Sequence, residues 1–147
     1  MITSDLKTSL YIDEDFERAL SEDIARAAES GLPYCVVACV PQRLPGEDLT
    51  NTVPSVAKAS RSVVRETDVA GLLGGEIMAV GLPDTGVADA QIVAYRLQGE
   101  LGLRSARLRT TVWEAGVACL PDDGRLSDQL LGVAIDAART HRRRLGQ

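Results

Sequence analysis

The sequence predicts a single α/β domain of the α+β kind, built on one central sheet flanked by helices. Three observations lead there. Segments with apolar residues every three or four positions alternate with short apolar runs, so helices alternate with strands. The pair Gly74-Gly75 separates two of those runs and marks a β-hairpin. A length of 147 residues suits one domain around one core, so 1–147 reads as a single unit with residues 1–12 as its lead-in segment.

The first helix is predicted over Asp13–Ser30, where Phe16, Leu20, Ile24 and Ala27 share one face. Asp13 stands where a side-chain cap is needed, and Gly31 and Pro33 stop the helix. Tyr34–Val40 is a continuous apolar run, too short for a helix, and reads as a buried strand. Pro41–Asn51, with two prolines and charges, reads as a loop. Val53–Glu66 returns to helical spacing, with Val53, Val56, Ala57, Ser60 and Val64 aligned and Pro54 in the first turn. Asp68–Leu73 and Glu76–Leu82 form the hairpin strands around a two-residue type I′ turn. After the turn Pro83–Gly86, Val87–Leu101 is a helix using Ile92, Tyr95 or the Arg96 stem, and Leu97 as its inner positions. Arg107–Leu120 is a long strand, Pro121–Gly124 a turn, and Leu126–Arg144 the last helix.

Composition excludes several functions. The net charge of −5 argues against a general nucleic-acid binder, which needs a basic face. Only 3 % of residues are aromatic, so base-stacking platforms are excluded and the core is aliphatic. No apolar stretch approaches the ~20 residues of a membrane span, and the first residues hold no apolar signal core. The expected location is therefore the cytoplasm. Cys35, Cys39 and Cys119 sit in apolar runs and read as free, buried thiols that fill the core. With one His and no C-x-x-C pair, no structural zinc site is expected. Trp113 reads as a packing residue, and Arg139, His141, Arg142, Arg143 and Arg144 as a solvated helix end.

At the hairpin the residues resemble the signature of GGDEF domains, the diguanylate cyclase family. The stretch from Arg65 to Val80 follows its order: R-x-x-D, five residues, G-G-(D/E)-E-F, then a strand closing here on Leu82-Pro83. Asp5, Thr8, Leu10 and Phe16 match the spacing of the family opening D-x-L-T-G-L-x-N-R-x-x-F. Gly116-Val117-Ala118-Cys119-Leu120-Pro121-Asp122-Asp123-Gly124 is similar to its G-V-A-x-x-P-x-D-G, and Leu130-Leu131-Gly132-Val133-Ala134 to its last helix. The resemblance covers nearly the whole chain. It implies a mostly antiparallel five-stranded sheet of the nucleotide-cyclase type.

The family joins two GTP molecules, one from each domain of a dimer, and that chemistry needs carboxylates that hold divalent metal against phosphates. Here all but one of those carboxylates are missing. The first long strand ends Ala38-Cys39-Val40-Pro41 where the family has D-x-D, and the hairpin reads Gly74-Gly75-Glu76-Ile77-Met78. Glu76 keeps one carboxylate, but Ile77 cannot bind metal and Met78 is apolar, so the loop reads as a degenerate active site able to pack instead. No catalytic residue and no metal site are expected, with Mg²⁺ entering only through residual GTP binding.

What remains is Arg65-x-x-Asp68. In the family this offset marks an inhibitory site for the product, cyclic di-GMP. The chemistry fits: an Arg fork takes phosphate or the guanine O6/N7 edge, and Asp accepts from guanine N1–H and N2–H. Arg61, four residues before Arg65 on the expected helix, supplies a second cation. The resulting expectation is a catalytically inactive GGDEF-like domain acting as a cyclic di-GMP receptor. The alternative is a ligand-independent interaction or dimerisation domain in a signalling or secretion system. A weak cyclase or GTP binder stands third.

Overall fold

In the computed structural model, the structure describes residues 10–42, 53–105 and 112–145. Strand β1 (Tyr11–Ile12) leads into helix α1 (Asp13–Ser30). Strand β2 (Tyr34–Gln42), helix α2 (Val53–Val63), and strands β3 (Val69–Leu73) and β4 (Ile77–Pro83) follow. Helix α3 (Val87–Ser105), strand β5 (Val112–Leu120) and helix α4 (Ser127–Leu145) complete the elements among the described residues. The five strands form one sheet in the order β1-β3-β4-β2-β5. Only β1–β3 is parallel; β3–β4, β4–β2 and β2–β5 are antiparallel.

Side chains alternate across the pleat, so the sheet faces two helical layers. Cys35, Val37 and Cys39 of β2 join Met78, Val80 and Leu82 of β4 under α2 and α3. Tyr34, Val36 and Ala38 point the other way, with Ala79 and Ala118, toward α1 and α4. α1 buries Phe16, Leu20, Ile24 and Ala27, the face its spacing predicts. Burial of each large side chain there contributes about 1.5–3 kcal/mol. Gly31 ends the helix in the left-handed region, φ 73°, and its N–H donates to the Ala27 carbonyl.

Several expectations need correction. β1 lies in the segment read as lead-in; two residues carry too little pattern to be seen. Strand β2 runs on through Pro41 and Gln42, opposite Trp113 and Val112 of β5. Proline is tolerated because backbone donors at that parity face the β4 side, where pairing has already ended at Cys39–Met78. The rest of the expected loop lies outside the described residues, as does the first part of the expected strand Arg107–Leu120. In α3 the inner residues are Ala90, Ala94, Leu97 and Leu101, while Ile92 and Tyr95 are exposed. Alanines are weak markers of a buried face, so the larger exposed residues misplace it.

The cysteines are the clearest correction. Cys35 and Cys119 are joined by a disulfide across the β2–β5 ladder, with Cα atoms 4.2 Å apart; Cys39 alone is free and buried. Cys35 and Cys119 are 84 positions apart in sequence, so only the strand register reveals that they face each other. Burial pushes the Cys39 thiol up to about 12.

Candidate functional site

Helix α2 stops at Val63, earlier than its spacing predicts, and the stop shapes the site. The Val64 N–H still donates to the Ser60 carbonyl, at 2.9 Å. The Arg65 N–H instead donates to Asp68 Oδ2 at 2.7 Å, and the Asp68 N–H returns to the Arg65 carbonyl at 3.0 Å. A side chain thus replaces the helical acceptor and turns the chain toward β3. Arg65 therefore lies beyond the helix, so its four-residue spacing from Arg61 is not the regular spacing of one helix face. Arg61 is exposed in the last turn of α2.

Arg65 and Asp68 themselves come together. Arg65 Nε lies 3.2 Å from Asp68 Oδ1, and Nη2 lies 2.9 Å from the same oxygen. Nη2 also donates to the Pro83 carbonyl and to Thr85 Oγ1, each at 3.0 Å. The carboxylate is almost wholly buried, 2 % exposed, while the arginine side chain is 54 % exposed. One end of the guanidinium is thus seated on the fold and the rest faces solvent. The hydrogen bond to Asp68 raises the Arg65 pKa further, so the cation is permanent.

Sequence reasoning missed the seat. The Pro83 carbonyl is at the end of β4 and Thr85 in the turn that follows, a stretch the sequence marked only as a turn. A second polar group lies on the other side of Pro83. The Tyr34 hydroxyl donates to Asp23 Oδ2 at 2.7 Å, and Arg26 pairs with Asp23 Oδ1 at 2.7 Å. Burial first, then the Asp23 bond, raises the Tyr34 pKa and keeps the phenol neutral. Asp23, Arg26, Pro83 and Asp84 line a small cleft of about 140 Å³ there. A helical i, i+3 Asp-Arg pair ahead of a buried Tyr was the only available signal.

The Gly-Gly hairpin lies at the opposite end of β3. The Glu76 N–H donates to the Leu73 carbonyl at 3.1 Å, and Gly74 and Gly75 have φ of 58° and 73°. These glycine values fit the expected turn, but pairing resumes only at Leu73–Ile77. Glu76 is an added residue, so the connection has three residues rather than two. Asp13 does not cap α1; its Oδ1 accepts from the Gly74 N–H at 2.7 Å, with its own φ at 41°. Ile77 is half-buried against Leu73, whereas Met78 is fully buried beside Cys39 under the α2/α3 layer. Met78 is thus core, not a surface for a partner. Among the described residues no three His, Cys, Asp or Glu side chains gather as a metal site.

A five-stranded sheet between two helical pairs, with an Arg-Asp turn at one end of β3 and a Gly-Gly hairpin at the other, defines an α+β domain of the nucleotide-cyclase type. More narrowly, the chain has the fold of a GGDEF domain. The GGDEF domain of TpbB (YfiN) from Pseudomonas aeruginosa is similar at TM-score 0.78 and 25 % identity, over 96 % of this chain and 89 % of that one. The GGDEF domain of DgcB from Caulobacter crescentus, solved with c-di-GMP, matches at TM-score 0.76 and 21 % identity, over 97 % and 91 %. The diguanylate cyclase SiaD of P. aeruginosa, solved with its activator SiaC, matches at TM-score 0.75 and 21 % identity, over 95 % of this chain and 58 % of that one. No family model and no curated protein sequence matches the chain. No helix among the described residues is long and apolar enough to cross a membrane.

Proposed function

We propose that the chain is a catalytically inactive GGDEF-type domain that binds cyclic di-GMP through Arg65 and Asp68. The observation that carries this reading is the seating of Arg65: Asp68, Pro83 and Thr85 hold one edge of the guanidinium while the side chain remains 54 % exposed. A pre-positioned planar fork loses little freedom when it takes a phosphate or a guanine edge. At the other end, Cys39 and Ile77 occupy positions where the family pattern has metal carboxylates, and neither can hold Mg²⁺. The c-di-GMP complex of the similar DgcB domain supports the ligand class.

Calorimetric titration with cyclic di-GMP tests the site. Binding by the parent, lost in Arg65→Ala and Asp68→Asn, is the expected result; no heat at tens of micromolar protein overturns it. Incubation with GTP and Mg²⁺ or Mn²⁺ tests inactivity, and accumulation of cyclic dinucleotide overturns that half.

A second reading, a protein-interaction module, draws on the outer face of α3. Ile92, Tyr95 and Leu103 are 57, 80 and 71 % exposed there. It expects a complex or dimer indifferent to added nucleotide and weakened by Tyr95→Ala.

A further inference from the structure

Cys35 and Cys119 are direct partners across β2 and β5. The Cys119 N–H donates to Asp123 Oδ2 at 2.8 Å, and its carbonyl accepts from the Asp123 N–H at 2.9 Å. Both backbone groups therefore point away from β2. Cys35–Cys119 is a non-hydrogen-bonded pair, the arrangement in which facing residues come closest and two sulfurs can meet. Cys35 is buried and Cys119 only partly so, which makes the Cys119 side the shorter approach for an exchanging thiolate.

The pair also touches the Arg65 seat. Cys35 Sγ lies 3.2 Å from the Thr85 carbonyl oxygen, within reach of a thiol hydrogen bond. Thr85 is 5 % exposed. Its N–H donates to the Pro33 carbonyl at 3.2 Å, its hydroxyl donates to the Pro83 carbonyl at 2.9 Å, and that hydroxyl oxygen accepts from Arg65 Nη2 at 3.0 Å. One residue thus connects the sulfur pair to the ligand-facing arginine. The connection differs between redox states for a simple reason. A thiol at Cys35 has a proton to donate to the Thr85 carbonyl, and a disulfide sulfur has none.

We propose that Cys35 and Cys119 form a thiol–disulfide switch whose state is passed through Thr85 to the Arg65–Asp68 site. The described structure holds the disulfide, and the seat of Arg65 is formed in it; in the reduced chain the Cys35 thiol adds a hydrogen bond to the Thr85 carbonyl and holds the Thr85 peptide more tightly. Oxidation joins Sγ of Cys35 to Sγ of Cys119. Two protons and two electrons leave, and a small-molecule disulfide of the glutathione class takes them up, yielding two thiols. That added bond is then absent, and Arg65 is held as in the described structure, less tightly than in the reduced chain. Ligand affinity falls about two- to ten-fold, the worth of one weak hydrogen bond. The affinity change rests on the cyclic di-GMP reading above; the effect on Arg65 itself does not.

The test equilibrates the full ¹⁵N-labelled chain in glutathione buffers of graded redox ratio. Alkylation after denaturation, read by mass, should find three thiols in the reduced chain and one in the oxidised. The Arg65 Nε–Hε and Thr85 amide resonances should move together with that thiol count. Cys119→Ser, which keeps the Cys35 thiol, should show the reduced spectrum in every buffer. Three alkylatable thiols at the oxidising end overturn the proposal, as do Arg65 and Thr85 resonances that ignore the thiol count. The parent titration decides the matter even where the variant fails to fold. Absence of cyclic di-GMP binding in both states would overturn the receptor reading alone, because the resonances still decide the switch.

Discussion

The ring of Tyr34 fills the space that a side chain at Gly81 would need. A Cβ built on Gly81 would collide with the Tyr34 hydroxyl and lie 2.7 Å from Leu20 Cδ1 and 3.1 Å from Tyr34 Cζ. Tyr34 is fully buried and its hydroxyl is held by Asp23, so it cannot swing aside. Gly81→Ala should therefore lower stability by about 1–3 kcal/mol, the cost of overpacking a filled core. Chemical denaturation measures it. In a Tyr34→Phe background the same substitution should cost less, because the nearest clashing atom is gone; equal costs would refute the shared-space account.

Gly116 should be less forgiving. A Cβ there would run into the Ala134 carbonyl and lie 2.5 Å from the Ala138 nitrogen, both backbone atoms of α4. Backbone cannot change rotamer, so Gly116→Ala must push α4 off the sheet. We expect a loss of at least about 3 kcal/mol, or failure to fold, against the smaller effect at Gly81. Thermal unfolding of the two variants side by side checks the order.

At the hairpin the strain is local. Gly75 has φ 73° with nothing within 4 Å of a built Cβ, so a side chain there meets no neighbour, only an unfavourable backbone. Gly75→Ala should cost about 1–2 kcal/mol, and Gly75→Asn less, since Asn tolerates the left-handed region. Asp13→Ala removes the acceptor of the Gly74 N–H and should cost about 1 kcal/mol. Urea midpoints of the three variants give the comparison.

Alkaline pH should weaken the fold in two stages. Burial holds the Cys39 thiol up to about 12, and burial together with Asp23 raises the Tyr34 phenol. The unfolded chain loses these protons near about 8.5 and about 10 respectively. Above each of those values the native state holds a proton that the unfolded state has released, so stability falls as pH rises. In the oxidised chain Cys35 and Cys119 do not titrate. There Cys39 alone should give a slope approaching about 1.4 kcal/mol per pH unit before Tyr34 adds to it. Cys39→Ala should hold its urea midpoint nearly constant up to pH about 10; an unchanged slope in that variant would assign the effect elsewhere.

Arg65 and Asp68 should matter to stability as well as to binding. Arg65→Ala leaves a carboxylate that is 2 % exposed without its guanidinium, although the Arg65 N–H still reaches it. The expected loss is about 1 kcal/mol, discounted because the arginine is half in solvent. Arg65→Lys should recover part of the stability and little of the binding, since an ammonium lacks the planar fork. Paired denaturation and titration of the two variants separate those effects.

Residues with a strong local pattern were legible in the sequence. Phe16, Leu20, Ile24 and Ala27 announce α1 by spacing, Gly31 ends it, and Gly74-Gly75 marks the turn between β3 and β4. Arg65 and Asp68 were visible because their separation and their distance from Gly74 are fixed along the chain. Their partners were not. Thr85 and Pro83 meet Arg65 only when β4 returns beside β3, and the α2 stop at Val63 follows from an Asp68 carboxylate that takes the Arg65 amide. The resemblance placed Met78 in a degenerate loop able to pack, and the pleat puts it in the core beside Cys39. The sequence by itself determined the order of the four helices and of strands β2 to β5, because these depend on neighbours within a few residues; the family resemblance supplied the mostly antiparallel sheet and singled out the Arg-Asp pair. Only the tertiary structure decided that Cys35 meets Cys119 and that Thr85 joins that pair to Arg65. Such contacts depend on strand register and parity, which no local pattern encodes.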